Sequence, residues 1–203
     1  MMADLKSFGS KKRVAIVTCI VILLAIYFAS ASYFFPQFYL SLVQQYPRPV
    51  ISDVKISNST IHLGQSFEIT VVGVNKGVTS DMQTLSVSFP NMTSIQGISV
   101  MDNNFTQHPV IIDIDQEVGS HYQGTQYPVY SQYPAVESYN RPWEGGTSHE
   151  ISIDVTPESA GKFLVFVKSV VLPHSDTIHY PMNGTKDQQS EYVIPYSVNV
   201  VNP

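Results

Sequence analysis

The stretch LPHSDTIHYPM, residues 172–182, places His174, His179 and Met182 within nine positions. Imidazole and thioether groups are ligands that copper accepts. On a strand, positions 174 and 179 face opposite sides, because five is an odd step. On a loop they converge only if the backbone folds to bring them together. A blue-copper centre also needs a thiolate. The single cysteine, Cys19, lies in an apolar run far from this stretch, which excludes that centre. The other histidines, His62, His108, His121 and His149, form no His-x-His or His-x-x-x-His pair. No metal and no cofactor are therefore expected, and a copper site at His174, His179 and Met182 is the alternative.

Other reactive patterns are weaker. The chain has no Gly-x-Ser-x-Gly elbow, no phosphate-binding glycine loop and no His-Glu-x-x-His zinc pair. Ser159 and Lys162 have Ser-x-x-Lys spacing, but the pair opens a strand pattern and lacks companion motifs. Asp113, Asp115 and Glu117 alternate, so on a strand their carboxylates share one face. That face suits weak calcium binding less well than plain solvation, since the glycine and terminal glutamate of an EF-hand loop are missing. These absences predict a protein that is not an enzyme.

What must position any site is a short anchor and one domain. The chain has 203 residues, with 13% charged and 11% aromatic, a composition that argues against disorder. Its net charge of −5 is unevenly spread. Residues 1–13 hold four basic side chains (Lys6, Lys11, Lys12, Arg13) against Asp4, while from Pro36 onward seven basic side chains face fifteen acidic ones. An acidic domain repels phosphate backbones, so nucleic acid is not an expected partner. Between these parts, residues 14–35 read VAIVTCIVILLAIYFASASYFF, 22 residues without a charge. About 20 apolar residues cross a bilayer as a helix. The basic cluster ahead of the run predicts a cytoplasmic N-terminus and an exported remainder at the cell membrane. Ala29-Ser30-Ala31 offers a signal-peptidase site after Ala31. Tyr33, Phe34 and Phe35 prolong the apolar run past it, which favours an uncleaved signal-anchor in contact with lipid. Residues 36–49, broken by Pro36, Pro47 and Pro49, read as a juxtamembrane stalk.

From residue 50 to 203 the period changes to two. VISDVKI, SFEITVVGV, TLSVSF, HEISIDV, KFLVFVKSVV and EYVIPYSVNVV alternate or are rich in β-branched and aromatic residues, with QGISVM and PVIIDID as weaker strands. Such a series without helices predicts an all-β, immunoglobulin-like β-sandwich. Residues 116–147 interrupt it with five tyrosines, three prolines and the only tryptophan. Two readings stand for this insertion. It is a partner-binding loop with Tyr127, Tyr130, Tyr133 and Trp143 as contacts, or it packs its aromatics back over a sheet edge. On the first reading, removing residues 120–144 leaves a folded sandwich. Sequons at Asn58, Asn91, Asn104 and Asn183 are candidate glycosylation sites in an exported chain.

FEITVVGVNKGVTSDMQTLSVSFP and HEISIDVTPESAGKFLVFVKSV pair strands across polar turns. In this they resemble the CARDB type of immunoglobulin-like module in membrane-anchored microbial surface proteins, over about residues 50–101 and 147–202. The resemblance implies an adhesion, spacer or scaffold role, with another envelope or membrane protein as the expected partner. SIDVTPESAGKFLVFVKSVV is also similar to the membrane-anchored cupredoxin domain of copper membrane monooxygenases. That family carries a His-x-His pair after the Ala-Gly turn, where this chain has Leu164 and Phe166. The second likeness implies a metal-free relative or accessory subunit, and a copper-binding cupredoxin-like subunit is the alternative function.

Overall fold

The computed structural model describes residues 16–30, 46–118, 129–172, 185–186 and 192–203. The chain divides into two compact units, Met1–Gln45 and Tyr46–Pro203. In the first unit residues 16–30 form a helix (α1), as a run of Ile, Val, Leu and Ala without glycine or proline allows. Its apolar side chains are exposed, Leu23 and Tyr27 most of all. Among the described residues, no helix is long and apolar enough to cross a membrane. The ends of the expected span, residues 14–15 and 31–35, lie outside the described residues.

The second unit is all β. In chain order its strands are β1 (Pro49–Ile56), β2 (Thr60–His62), β3 (Phe67–Asn75), β4 (Met82–Ser88), β5 (Ile98–Asn103), β6 (Val110–Ile112) and β7 (Glu117–Val118). There follow β8 (Val129–Tyr130), β9 (Ala135–Asn140), β10 (Ser148–Val155), β11 (Gly161–Leu172), β12 (Thr185–Lys186) and β13 (Tyr192–Val201). One sheet has the order β1-β3-β10-β5 and the other β12-β13-β11-β4-β9-β6, with β2 parallel to β13. Without β6–β9 these are the two sheets of the immunoglobulin arrangement, in the same chain order. The first strand is split as well: β1 pairs with β3 in one sheet, and after the turn at 57–59 β2 joins the other. The fold is therefore an immunoglobulin-like sandwich, as the alternation predicts.

The alternation also builds the core. On β3, Phe67, Ile69 and Val71 are buried and their neighbours are not, and on β10 Ile151 and Ile153 face the same way. From the other sheet come Leu85 and Val87 of β4, Phe163, Val165 and Val167 of β11, and Val198 and Val200 of β13. Phe67 meets Phe163 edge to face at 5.7 Å between ring centres, tying sheet to sheet. Such pairs add about 0.5–1.5 kcal/mol beyond area burial.

The insertion between β5 and β10 corrects the expectation of a detachable loop. Its strand β9 pairs with β4 along all six residues, from Ala135↔Ser88 to Asn140↔Gln83, and β6 pairs with β9 in turn. The sheet is thereby two strands wider than its β13-β11-β4 core. Removal of residues 120–144 would take out β9 and the buried Trp143 and expose the flank of β4, so it is expected to destabilise the sandwich.

At the end of the sandwich where residues 46–48 lead into β1, Asn75 is wholly buried and uses its full hydrogen-bonding capacity. Its Oδ1 accepts from the N–H groups of Arg48 and Gly77, both at 3.0 Å. Its Nδ2 donates to the carbonyls of Val78 (2.7 Å) and Trp143 (3.2 Å). Three separate stretches of chain thus meet on one carboxamide. Gly77 completes the junction, because a Cβ there would collide with the Tyr46 carbonyl.

The opposite end is closed by Glu158. One carboxylate oxygen accepts from the Thr93 N–H (2.9 Å) and hydroxyl (2.7 Å), and the other from the Ser94 hydroxyl (3.0 Å). The Thr93 hydroxyl, then its N–H, hold this carboxyl below its ordinary value of 4.5. The folded value is depressed, so the stabilisation is complete above the unfolded value and is lost as pH falls through the folded one. We expect Glu158→Gln to lower the thermal midpoint at neutral pH and to narrow its gap from the wild type as the pH drops below about 4.5. A constant gap across that acid range would show that this carboxylate is not the group responsible.

Candidate functional site

Of the residues that the sequence singles out for chemistry, His174, His179 and Met182 lie outside the described residues, as do Tyr127 and Asn183. The short strand β12 pairs with β13 within the same 173–191 connection. Among the described residues, no three His, Cys, Asp or Glu side chains gather in a way that could hold a metal ion. Leu164 and Phe166 are half-buried on β11.

The carboxylates at 113, 115 and 117 do not share a strand face, which corrects that expectation. β6 stops at Ile112, and the chain turns at 113–116 with Asp115 at a positive φ of 59°. Asp113 Oδ1 accepts from the Ile114 N–H (2.8 Å), and Gln116 Oε1 accepts from the Asp113 N–H (3.0 Å). Asp and Asn favour such turns because their side chains bond locally to backbone and tolerate the left-handed conformation.

This turn starts a two-stranded ribbon. The Asp115 N–H donates to the Ser131 carbonyl (2.8 Å) and the Ser131 N–H to the Gln116 carbonyl (2.9 Å). Glu117 and Val118 then pair with Tyr130 and Val129. The ribbon and the turn before it present two large apolar side chains to solvent, Tyr130 at 52% exposed and Ile114 at 43%. Tyr133 follows at half burial, its ring edge-on to Phe166 at 6.1 Å, and its carbonyl accepts from the Ser131 hydroxyl at 2.6 Å. The segment 131–133 is therefore fastened to the outer face of β11.

Under this segment is a cavity of about 40 Å³ whose lining includes Ser86, Ser131, Gln132, Glu137 and Lys168. The volume suits a water molecule or two and falls far below that of a pocket for a metabolite. Gln132 Oε1 is buried without a protein partner among the described residues.

Trp143 behaves differently from the tyrosines and is withdrawn as a contact residue. It is 0% exposed and belongs to the core. Its ring stands edge-on to Phe105 (5.4 Å) and His149 (4.8 Å), and Nε1–H donates to the Thr147 carbonyl at 3.2 Å. Its backbone exchanges two hydrogen bonds with Ser80. Opposite it stands Gly73, where a Cβ would come within 3.2 Å of the indole. The ring is the largest apolar surface in the insertion, and burying it stabilises more than a surface position would. The packing reading of the insertion holds for Trp143, while Tyr130 faces solvent.

No family model and no curated protein matches this chain. Among solved structures it is similar to a CARDB domain from Pyrococcus furiosus in complex with di-metal ions, at 11% identity and a TM-score of 0.38, over 77% of this chain and 90% of that one. It is similar to a cohesin module from a Clostridium perfringens family 33 glycoside hydrolase, at 8% identity and 0.38, over 79% and 100%. It is also similar to an uncharacterised Nocardia farcinica protein with an immunoglobulin-like fold, at 8% and 0.39, over 72% and 96%. Likeness this remote says nothing about chemistry or partners. The fold assignment rests on strand order and pairing.

Proposed function

We propose that this chain is a non-enzymatic, single-pass membrane protein. Residues 14–35 anchor it with the N-terminus in the cytoplasm, and the sandwich outside binds another envelope or membrane protein in an adhesive, scaffolding or accessory role. The observation that carries the contact reading is the exposure of Tyr130 on the β7–β8 ribbon and of Ile114 in the turn that leads into it. Tyrosine brings a large amphipathic surface with few torsions to freeze, so it is over-represented in binding hot spots. The uncharged 22-residue run, the basic cluster before it and the cysteine-free domain support the membrane topology.

The test of the contact is the double variant Ile114→Ser, Tyr130→Ser in the full chain, followed by cross-linking in native membranes. Partner recovery should fall about tenfold or more, because a hot-spot residue is worth about 2 kcal/mol or more. The unfolding midpoint should stay near wild type. Undiminished recovery would remove the ribbon as the contact. Replacing residues 119–128 by Asn-Gly, which closes the Val118–Val129 pair with a two-residue turn, separates the ribbon from the segment that it carries.

A further inference from the structure

The three described sequons are not equivalent once the chain has folded. Asn58-Ser59-Thr60 lies in the turn between β1 and β2, and all three residues are exposed. Among the described residues, neither the Asn58 carboxamide nor the Thr60 hydroxyl makes a hydrogen bond. The backbone is held by the three-residue strand β2 at the sheet's margin, by the Asn199 N–H on the Ser59 carbonyl (2.9 Å) and, just ahead of the sequon, by the Ser57 N–H on the Glu68 carbonyl (2.9 Å). So few bonds open at small free-energy cost.

In the other two sequons the middle residue belongs to the core. Met92, between Asn91 and Thr93, is 3% exposed, and Phe105, between Asn104 and Thr106, packs edge-on against Trp143. Their polar groups are also committed. Asn91 Oδ1 accepts from the Leu164 N–H (2.7 Å), while the Thr93 hydroxyl donates to Glu158. Asn104 Oδ1 accepts from the Glu150 N–H (2.7 Å), and the Thr106 hydroxyl donates to Asn140 Oδ1 (2.7 Å). A transferase must hold the sequon in its own groove and engage both the carboxamide and the hydroxyl. At 91 and 104 that requires pulling Met92 or Phe105 out of the sandwich, a loss of about 2–5 kcal/mol of core packing.

We propose that Asn58 is the sequon, among the three described, that remains open to N-glycosylation in the folded protein, and that folding closes Asn91 and Asn104. In the reaction Asn58 Nδ2 attacks the anomeric carbon of a lipid-pyrophosphate-linked oligosaccharide. The C–N bond forms, the bond from that carbon to the phosphate oxygen breaks, and lipid pyrophosphate leaves with the electron pair. An Nδ2 proton passes to a transferase base. Where Asn91 and Asn104 carry glycan, it was added before their turns docked. In both turns Oδ1 serves the fold, and none of the contacts above uses Nδ2, so a glycan added early is compatible with the finished structure.

The experiment uses the purified full chain in detergent, a single-subunit oligosaccharyltransferase and a lipid-linked oligosaccharide, with occupancy read by peptide mass spectrometry. The folded chain should be modified at Asn58 at least tenfold faster than at Asn91 or Asn104, and Asn58→Gln should abolish that signal. Chain diluted from denaturant directly into the reaction should gain glycan at all three. Equal rates at Asn58 and Asn91 in folded protein, or no modification of Asn58 in either state, would overturn the proposal. Use of the site in the cell rests on the export reading. Protein from native membranes bare at Asn58, but modified in the purified reaction, would leave the site assignment standing and show that the cell does not use it.

Discussion

Replacing Trp143 by alanine is expected to lower the unfolding free energy of the sandwich by about 3–5 kcal/mol, the usual cost of deleting a buried large aromatic. The loss has identifiable parts. The indole fills the space left by Gly73, supports Phe105 and His149 edge-on, and satisfies the Thr147 carbonyl. Alanine abandons all of these and leaves a cavity that the two paired sheets cannot easily close. The measurement is urea unfolding followed by far-ultraviolet circular dichroism, because the chain has no other tryptophan to report by fluorescence. Trp143→Phe should lose less, since a smaller ring retains part of the contact. A loss under about 1 kcal/mol for the alanine variant would mean that the ring does not pack in the core.

Asn75→Leu should be about as damaging, by a different mechanism. Leucine is nearly isosteric, so little packing is lost. It strands the Arg48 and Gly77 N–H groups and the Val78 carbonyl, part-buried groups whose loss of a partner lies toward the low end of about 1–3 kcal/mol each. The expected sum is about 3–5 kcal/mol, with a penalty concentrated where residues 46–48 join the domain. Hydrogen exchange should show the amides of Arg48 and Gly77 losing protection before those of β11. Asn75→Asp is the informative control, because it keeps an acceptor for both N–H groups and removes the donor that serves the two carbonyls. If Asn75→Asp is as stable as wild type, the carboxamide does not tie the three segments together.

Much of this architecture is readable from one-dimensional patterns, and the exceptions are instructive. β3 alternates cleanly because one face meets the core and the other meets water, and β10 alternates in hydrophobicity although Ser152 is buried as well. β9 escapes the same test. Ser138 and Asn140 are buried with Val136 while Glu137 and Tyr139 between them are only half-buried, so from Val136 on burial follows the period while hydrophobicity does not. What holds β9 in place is its backbone ladder to β4, to which every residue type contributes alike. The Asp113–Glu117 alternation errs in the other direction. It has a strand's period, yet Asp115 takes the left-handed conformation that a turn needs.

The candidate contact residues follow the same division. Tyr130, Tyr133 and Trp143 stand in one Tyr/Pro-rich stretch, and composition alone gives them one role. Their environments differ because Trp143 lies beside the Ser80 bridge over Gly73, whereas Tyr130 lies on a ribbon that leaves the sheet.

By itself, then, the sequence determined the local quantities. These are an uncharged apolar run behind a basic cluster, a domain without cysteine, and six strong strands whose alternation specifies a sandwich. Each depends on neighbours within a few positions along the chain. The tertiary structure alone decided that the insertion supplies a strand to the sheet, that its tryptophan is core, and that two of the three described sequons have a core residue at their centre. Those outcomes depend on residues tens of positions away, such as Gly73 facing Trp143 or Glu158 holding Thr93. Pairing across such distances is selected by packing and hydrogen-bond satisfaction in the assembled fold, and no local period records it.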